Sequence, residues 1–341
     1  MKIGITYNLK EHVIPQGELD SEQVEEFDSP QTIEAICSVL NKEGFSTSAL
    51  GGGINIIEKL KAEKPDFVFN IAEGYCGRSR EGHIPSILEM FNIPYSGSDP
   101  LTMSLTLDKL IAKKITSQAG ILTPRYVTVK KKEDISGIEG CLTYPLITKP
   151  AWEGSSKGIY RDSKAEDRSA IERNVNLLLE KYPEEPVLVE EFIRGKEVTV
   201  AVIGNSPARV LGMMGISGKS KANGNFIYSI EAKRNWREEV EYSVPPDIIP
   251  SLKARLEECA LSAFREFGCR DFARLDFRIS EDGNIYLLEL NPLPGLSPVY
   301  SDIVLMSYRL GLKYEQLIFS ILDSAFSRYA IVREPVKLNA V

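Results

Sequence analysis

Asp276-Phe-Arg-Ile-Ser-Glu-Asp282-Gly283-Asn-Ile-Tyr-Leu-Leu-Glu289-Leu-Asn291 reads as two alternating runs around an Asp-Gly pair. Asp-Gly between such runs is a strong hairpin signal, because both residues tolerate the positive φ of a tight turn. Pairing symmetric about Asp282-Gly283 puts Asp276 opposite Glu289. Asn291 and Arg274 follow on the same face, since strand side chains alternate. Two carboxylates facing each other destabilise a bare sheet. A hard cation relieves that repulsion, and three side-chain oxygens suit Mg²⁺, which keeps waters and phosphate oxygens as its other ligands. A solvated hairpin face is the competing reading. Arg274 could hold an anion beside a metal.

Working outward, the chain before this hairpin divides into two styles. From Lys2 to Ala72, strands (Lys2 to Tyr7, Asp66 to Ala72) alternate with helices (Pro30 to Gly44, Ile54 to Lys64). That alternation predicts a parallel sheet with helices on both faces. Pro85 to Phe91 reads as a short helix and Leu101 to Gln118 as one long helix. Beyond Pro124 come short β-rich segments, near 126–129, 145–149, 187–192, 197–203 and 209–216, with helices near 164–181 and 248–267. A closing helix spans about 314–327. The fold class is α/β followed by α+β, divided as 1–100, 101–190 and 191–341.

Composition narrows the function. The 341 residues carry a net charge of −7, so no basic footprint points to nucleic acid or an anionic membrane. No apolar run approaches the roughly 18 residues needed to span a bilayer, and the N-terminus reads as a strand rather than a signal peptide. The expected location is cytoplasmic. Five scattered cysteines without a C-x-x-C argue against disulfides or zinc, and two histidines leave little room for histidine catalysis.

Lys149-Pro-Ala-Trp-Glu153-Gly154-Ser155-Ser156-Lys157-Gly158 joins two strands. Small residues let backbone N–H groups approach phosphate, and Lys149 adds charge. Such loops are more often plain connections. The Gly154-x-Ser156-x-Gly158 spacing mimics a hydrolase nucleophile elbow, but that needs a later histidine, and His12 and His83 both precede it. Gly218-Lys219-Ser220 mimics a P-loop end, but Met213 stands where its first glycine belongs.

Eight short stretches in order now carry a resemblance. They are Glu73-Gly74 through Leu88-Glu89, Pro94-Tyr95-Ser-Gly-Ser98, Leu107-Asp108-Lys109 and Lys149 to Gly158. The later ones are Glu190-Glu-Phe-Ile-x-Gly-x-Glu197, Glu231-Ala-Lys233, Arg274-x-Asp276-Phe and Glu289-x-Asn291-x-x-Pro-Gly295. From about Asp66 to Leu310 the chain resembles the ATP-grasp superfamily, in its D-alanine–D-alanine ligase branch. The resemblance implies an N-terminal doubly wound lobe and two β-rich lobes gripping ATP. It implies that Lys109 and Lys149 contact phosphates, that Glu153, Gly154, Ser155, Ser156 and Gly158 close over them, and that Glu190, Glu191, Ile193 and Glu197 flank adenine and ribose. Lys233 would reach the γ-phosphate from a mobile loop spanning Ile216 to Lys233, rich in Gly218, Ser220, Asn223 and Gly224. Asp276, Glu289 and Asn291 would hold Mg²⁺, with Mn²⁺ as a substitute. Arg274, Ser155 and the Gly295 backbone would stabilise an acyl phosphate and the intermediate that follows.

The implied activity is an ADP-forming carboxylate–amine ligase acting on small molecules, with a homodimer as candidate assembly. A ligase for other amino acids or a small acid and amine is the alternative, and a non-catalytic nucleotide binder a distant one. The departures lie at the substrate end. Glu73 replaces the family's histidine before glycine, Arg80-Glu81-Gly82 replaces its acidic run, and Arg234 replaces a tyrosine. Tyr300-Ser301-Asp302 replaces its Ser-Leu. Glu25 or Glu26 is the candidate to orient the first substrate's amine. Asp302 is expected to bring a negative charge that repels an acceptor carboxylate, or else to face away and cap the next helix.

Overall fold

A computed structural model describes residues 1–10, 22, 24–220 and 225–332. Its first sheet is parallel, in the order β2 (Ser46–Ala49), β1 (Lys2–Thr6), β3 (Phe67–Asn70). Helix α1 (Pro30–Lys42) starts on Pro30, whose missing N–H costs nothing at a helix start. It buries Ile33, Ile36 and Leu40, the apolar stripe of a 3.6-residue period. Helices α2 (Ile56–Glu63), α3 (His83–Met90) and α4 (Pro100–Leu107) follow. The strand at Ser46–Ala49 escapes a hydrophobic reading because it is polar and lies at the sheet edge.

The single long helix expected over 101–118 is two. Asp108 is extended (ψ 98°) and accepts hydrogen bonds from Leu110 N at 2.9 Å and Ile111 N at 3.0 Å. Its carboxylate thus caps a new helix, α5 (Lys109–Gln118). This break is what turns Lys109 inward.

The second sheet is antiparallel in the order β4 (Tyr126–Val129), β7 (Val187–Glu191), β5 (Leu146–Pro150), β6 (Lys164–Ala165). Helix α6 (Arg168–Lys181) covers it with Ile171, Val175 and Leu178. The third sheet runs β10 (Val240–Ser243), β9 (Ala208–Gly218), β8 (Gly195–Gly204), β11 (Phe272–Ser280), β12 (Ile285–Asn291). Helices α7 (Ile230–Arg234) and α8 (Trp236–Glu239) lie between β9 and β10, and α9 (Pro250–Glu266) packs Leu256, Ala260 and Phe264 under the sheet. After α10 (Asp302–Arg309), α11 (Tyr314–Arg328) returns to the first sheet, where Phe326 meets Phe67 edge-on at 4.9 Å. No helix among the described residues is long and apolar enough to cross a membrane.

Buried Asp271 fastens the first and third sheets. It accepts from Gly97 N at 2.8 Å, from Asn205 Nδ2 at 3.0 Å and from Arg328 Nη2 at 2.7 Å. Between the second and third sheets a cleft remains open, and the hairpin β11–β12 forms one wall.

Candidate active site

Asp276 pairs with Glu289 and Arg274 with Asn291, as symmetry about the turn suggests. The reason is different. Nearer the turn Phe277 pairs with Leu287 and Ile279 with Ile285, a register one residue off. A bulge between Asp276 and Phe277 restores the pairing, leaving Leu288 as the extra residue. Leu287 therefore goes into the core while Leu288 and Glu289 both face the cleft.

On that face Asp276 accepts from Arg274 Nη2 at 2.9 Å, Thr199 Oγ1 at 2.6 Å and Asn291 Nδ2 at 3.1 Å. Burial favours the neutral carboxyl, but Arg274 outweighs it and holds Asp276 below the usual range. Glu289 lies 3.3 Å from Lys109 Nζ. The same lysine donates to the Glu153 carbonyl, so it ties the metal face to the glycine-serine loop. The donor set, two carboxylates and an amide oxygen, fits a hard cation such as Mg²⁺.

Opposite, Lys149 Nζ is 2.5 Å from Glu190, whose other oxygen is 2.7 Å from Lys113 Nζ. All three are buried. Burial would raise the Glu190 carboxyl, but the two lysines hold it low. Desolvation brings Lys113 down to about 8 despite Glu190. Lys113 was not read from the sequence; it lies one helical turn after Lys109, and that spacing was the available signal. Arg278 was also missed. It reaches over the Phe192 ring at 4.3 Å, donates to Ile193 O at 2.7 Å and to Phe226 O, and pairs with Glu197 at 3.1 Å. Glu191 also lines the cleft and accepts from Thr143 N at 2.9 Å.

In the loop, Ser155 and Ser156 adopt left-handed φ of 49° and 59°. Ser156 donates to Tyr228 O at 2.9 Å. A Cβ on Gly154 would overlap the Glu26 carboxylate, and one on Gly158 would overlap Pro150. Lys233 lies on helix α7, over the Tyr228 ring at 5.3 Å, with no carboxylate within ion-pair distance among the described residues. Burial and neighbouring Arg274 lower its pKa. The expected mobile loop contains the end of β9 and α7 up to its last residue but one, while Asn223 and Gly224 lie outside the described residues.

The substrate end differs from its reading in three places. Glu26 is fully engaged: it accepts from Arg80 Nη2 at 3.1 Å, Lys157 Nζ at 2.9 Å and Gly154 N at 2.7 Å. Burial opposes its charge, but these cations hold it at about 2. Arg234, which stands in place of the family's tyrosine and is a candidate substrate residue, pairs with Glu25 at 2.9 Å. Asp302 is not a free charge; it is buried, 3.7 Å from Arg274, and accepts from Tyr228 OH at 3.2 Å. It opens α10, whose N-cap is Ser301, while Tyr300 stays 43% exposed on the rim. Gly295, Ser155, Arg274 and Glu73 all line the point where the two substrate-side hollows meet.

Residues 115–323 match the family model described as D-ala D-ala ligase C-terminus. The chain is 36% identical over 304 residues to a D-alanine–D-alanine ligase of Carboxydothermus hydrogenoformans, covering 86% of this chain and 92% of that protein. It is 32% identical over 305 residues to an uncharacterized protein of Sinorhizobium fredii, y4sG, covering 87% and 88%. The D-alanine–D-alanine ligase of Bacillus anthracis, solved with ATP, superposes with a TM-score of 0.73 at 22% identity over 97% of this chain and 99% of that one. The VanG D-Ala:D-Ser ligase of Enterococcus faecalis gives 0.72 at 25% identity, over 95% and 99%. This chain, with its ATP-grasp fold, belongs to the D-alanine–D-alanine ligase family.

Proposed function

We propose that this protein is an ATP-dependent ligase that joins the carboxylate of one small molecule to the amine of another and releases ADP and phosphate. The facing pair Asp276 and Glu289, with Asn291 beside them and unpaired Lys233 across the cleft, is the observation that carries the reading. A bound nucleotide would lie between the second and third sheets, its base near Ile193 and its phosphates toward Lys149, Lys109 and the Ser155–Ser156 loop. Asp276, Glu289 and Asn291 would hold Mg²⁺, which neutralises charge on the transferring phosphoryl group.

The residues of the chain then divide the work. Lys233 carries a positive charge with no carboxylate at ion-pair distance among the described residues, so an incoming phosphate gains most there. Transfer of the phosphoryl group to a carboxylate turns a poor electrophile into a good one. Arg274, Ser155 and the Gly295 N–H lie where the oxyanion develops once an amine attacks. The three-part division at 100 and 190 and the homodimer belong to the same proposal.

The ligase relatives are named for D-alanine, or D-alanine and D-serine. A pair of substrates other than two D-alanines is favoured by one observation: Glu73 brings to the substrate end an acid with no ion pair among the described residues, whereas Arg234 and Asp302 are answered by Glu25 and Arg274. The test is phosphate release with ATP, Mg²⁺ and pairwise amino acids of both hands, products identified by mass. ADP with an amide product is expected. AMP and pyrophosphate would sink the reading.

A further inference from the structure

Seven acidic side chains line the two substrate-side hollows among the described residues, and five already have partners. Glu25 has Arg234, Glu26 has Arg80 and Lys157, Glu289 has Lys109, and Asp302 has Arg274. Asp28 is bonded by the Thr32 hydroxyl and faces Lys10. Glu73 and Glu81 make no side-chain hydrogen bond or ion pair among the described residues. Glu81 is only 8% exposed and lines the hollow shared with Asn291 and Gly295.

Local geometry brings the two together. Gly74 has φ +78° and packs so tightly on the Arg80 carbonyl that a Cβ there would overlap it. Glu73 and Glu81 are each next in sequence to one of those residues, line the same hollow, and stand near enough for the Glu81 charge to act on Glu73. Burial, then the charges of Glu81, Glu26 and Asp28, raise the Glu73 carboxyl well above its ordinary value, with Arg80 opposing. Burial also raises Glu81 to about 8; Arg80 and Lys109 oppose, Glu26 and Glu289 add. Buried Glu81 and half-buried Glu73 feel Arg80 but form no ion pair among the described residues, so together they make a place for an external cation.

We propose that Glu73 and Glu81 bind the acceptor's ammonium group beside the acyl phosphate, and that Glu73 takes the proton that must leave before attack. The proposal rests on the ligase reading above. The ammonium draws Glu73 into its ionised form, then gives it one proton. The freed nitrogen lone pair forms the N–C bond to the acyl carbon. The C–O bond to phosphate breaks, phosphate leaves with that electron pair, and the second surplus proton on nitrogen goes with it.

Hydroxylamine separates this role from a structural one. It is neutral at neutral pH and attacks acyl phosphates without losing a proton first. The purified enzyme is given ATP, Mg²⁺ and amino acids of both hands, with either hydroxylamine or a second amino acid as nucleophile. In Glu73→Gln, hydroxamate formation should be little changed while kcat/KM for the amino-acid acceptor falls by about 100-fold. Glu73→Asp should recover part of that loss, and Glu81→Gln should raise the acceptor's KM more than it lowers kcat. Equal loss with both nucleophiles in Glu73→Gln and Glu73→Asp would mean the residue holds the fold, and overturns the assignment. Unchanged amino-acid turnover in Glu73→Gln overturns it too. If the unaltered enzyme forms neither hydroxamate nor amide with any amino acid, the ligase reading itself fails and this falls with it.

Discussion

The two ends of the cleft handle buried charge in opposite ways. At the nucleotide end Glu190 sits between Lys113 and Lys149, and Arg278 satisfies Glu197, Ile193 O and Phe226 O. At the substrate end, beside the paired Glu25, Glu26 and Asp302, Glu73 and Glu81 have no ion pair and Lys233 no carboxylate partner among the described residues. A pre-paired end is rigid before any ligand arrives, since each charge already has its counter-ion. An unpaired end is destabilised until a ligand of the right charge enters. Rigid nucleotide binding and charge-selective substrate binding therefore follow from where the internal ion pairs were spent.

Breaking the paired end should cost most. Glu190→Gln leaves two buried lysines facing each other, and removing one partner of a buried pair typically costs about 3–5 kcal/mol. Urea unfolding should show that loss, and adding Lys113→Met should recover part of it. A cost near zero would mean that pre-pairing does not hold this end together. Next comes the metal face. Glu289→Gln keeps shape and leaves Lys109 in place, so stability should hold while ADP formation falls by about 10²–10³. Wild-type turnover at saturating Mg²⁺ would remove Glu289 from the metal set.

Arg278→Met sharpens the comparison more gently. It removes charged hydrogen bonds to Ile193 O and Glu197 without touching the phosphate lysines. Loss of one such bond, about 1.5–3 kcal/mol, should raise the KM for ATP by about tenfold or more while kcat changes little. A kcat effect with unchanged KM would show that Arg278 acts on the Phe226 segment rather than on the nucleotide.

The nucleotide end was the more legible in the sequence, for a physical reason. Phosphate loops, hairpin carboxylates and glycine positions are local, and spacing along the chain reports them. Arg278 was invisible because its partners, Ile193 and Phe226, lie far away in sequence, and Lys113 offered only its one-turn spacing from Lys109, since Glu190 meets it only after the sheets stack. Asp276 opposite Glu289 was legible by a coincidence of two errors: the turn register is off by one, and the bulge at Leu288 returns it. The break at Asp108 was hidden by an unbroken apolar period, although Asp is a favoured cap. Asp302 and Glu26 were read as free because a sequence shows charges and not counter-ions. Arg274 and Arg80 supply those.

The smallest effect expected is also the one that isolates the unpaired end without any substrate. Burial raises Glu81 to about 8 in the folded protein, against about 4.3 for an unfolded glutamate. Between those values the folded state keeps a proton that the unfolded chain releases, so the unfolded state binds fewer protons and stability falls as pH rises. The stabilising contribution is complete below about pH 4 and is lost as pH climbs through about 8. Other carboxylates run the opposite way: Glu26, held at about 2 by Arg80 and Lys157 against its burial, adds stability that disappears only in strong acid. Glu81→Gln removes one group from the first class and none from the second. Thermal midpoints measured from pH 5 to 8 on the substrate-free enzyme should therefore fall less steeply with pH in Glu81→Gln than in the parent. Parallel curves would mean that Glu81 already has a counter-charge in solution, and the contrast between the two ends would disappear.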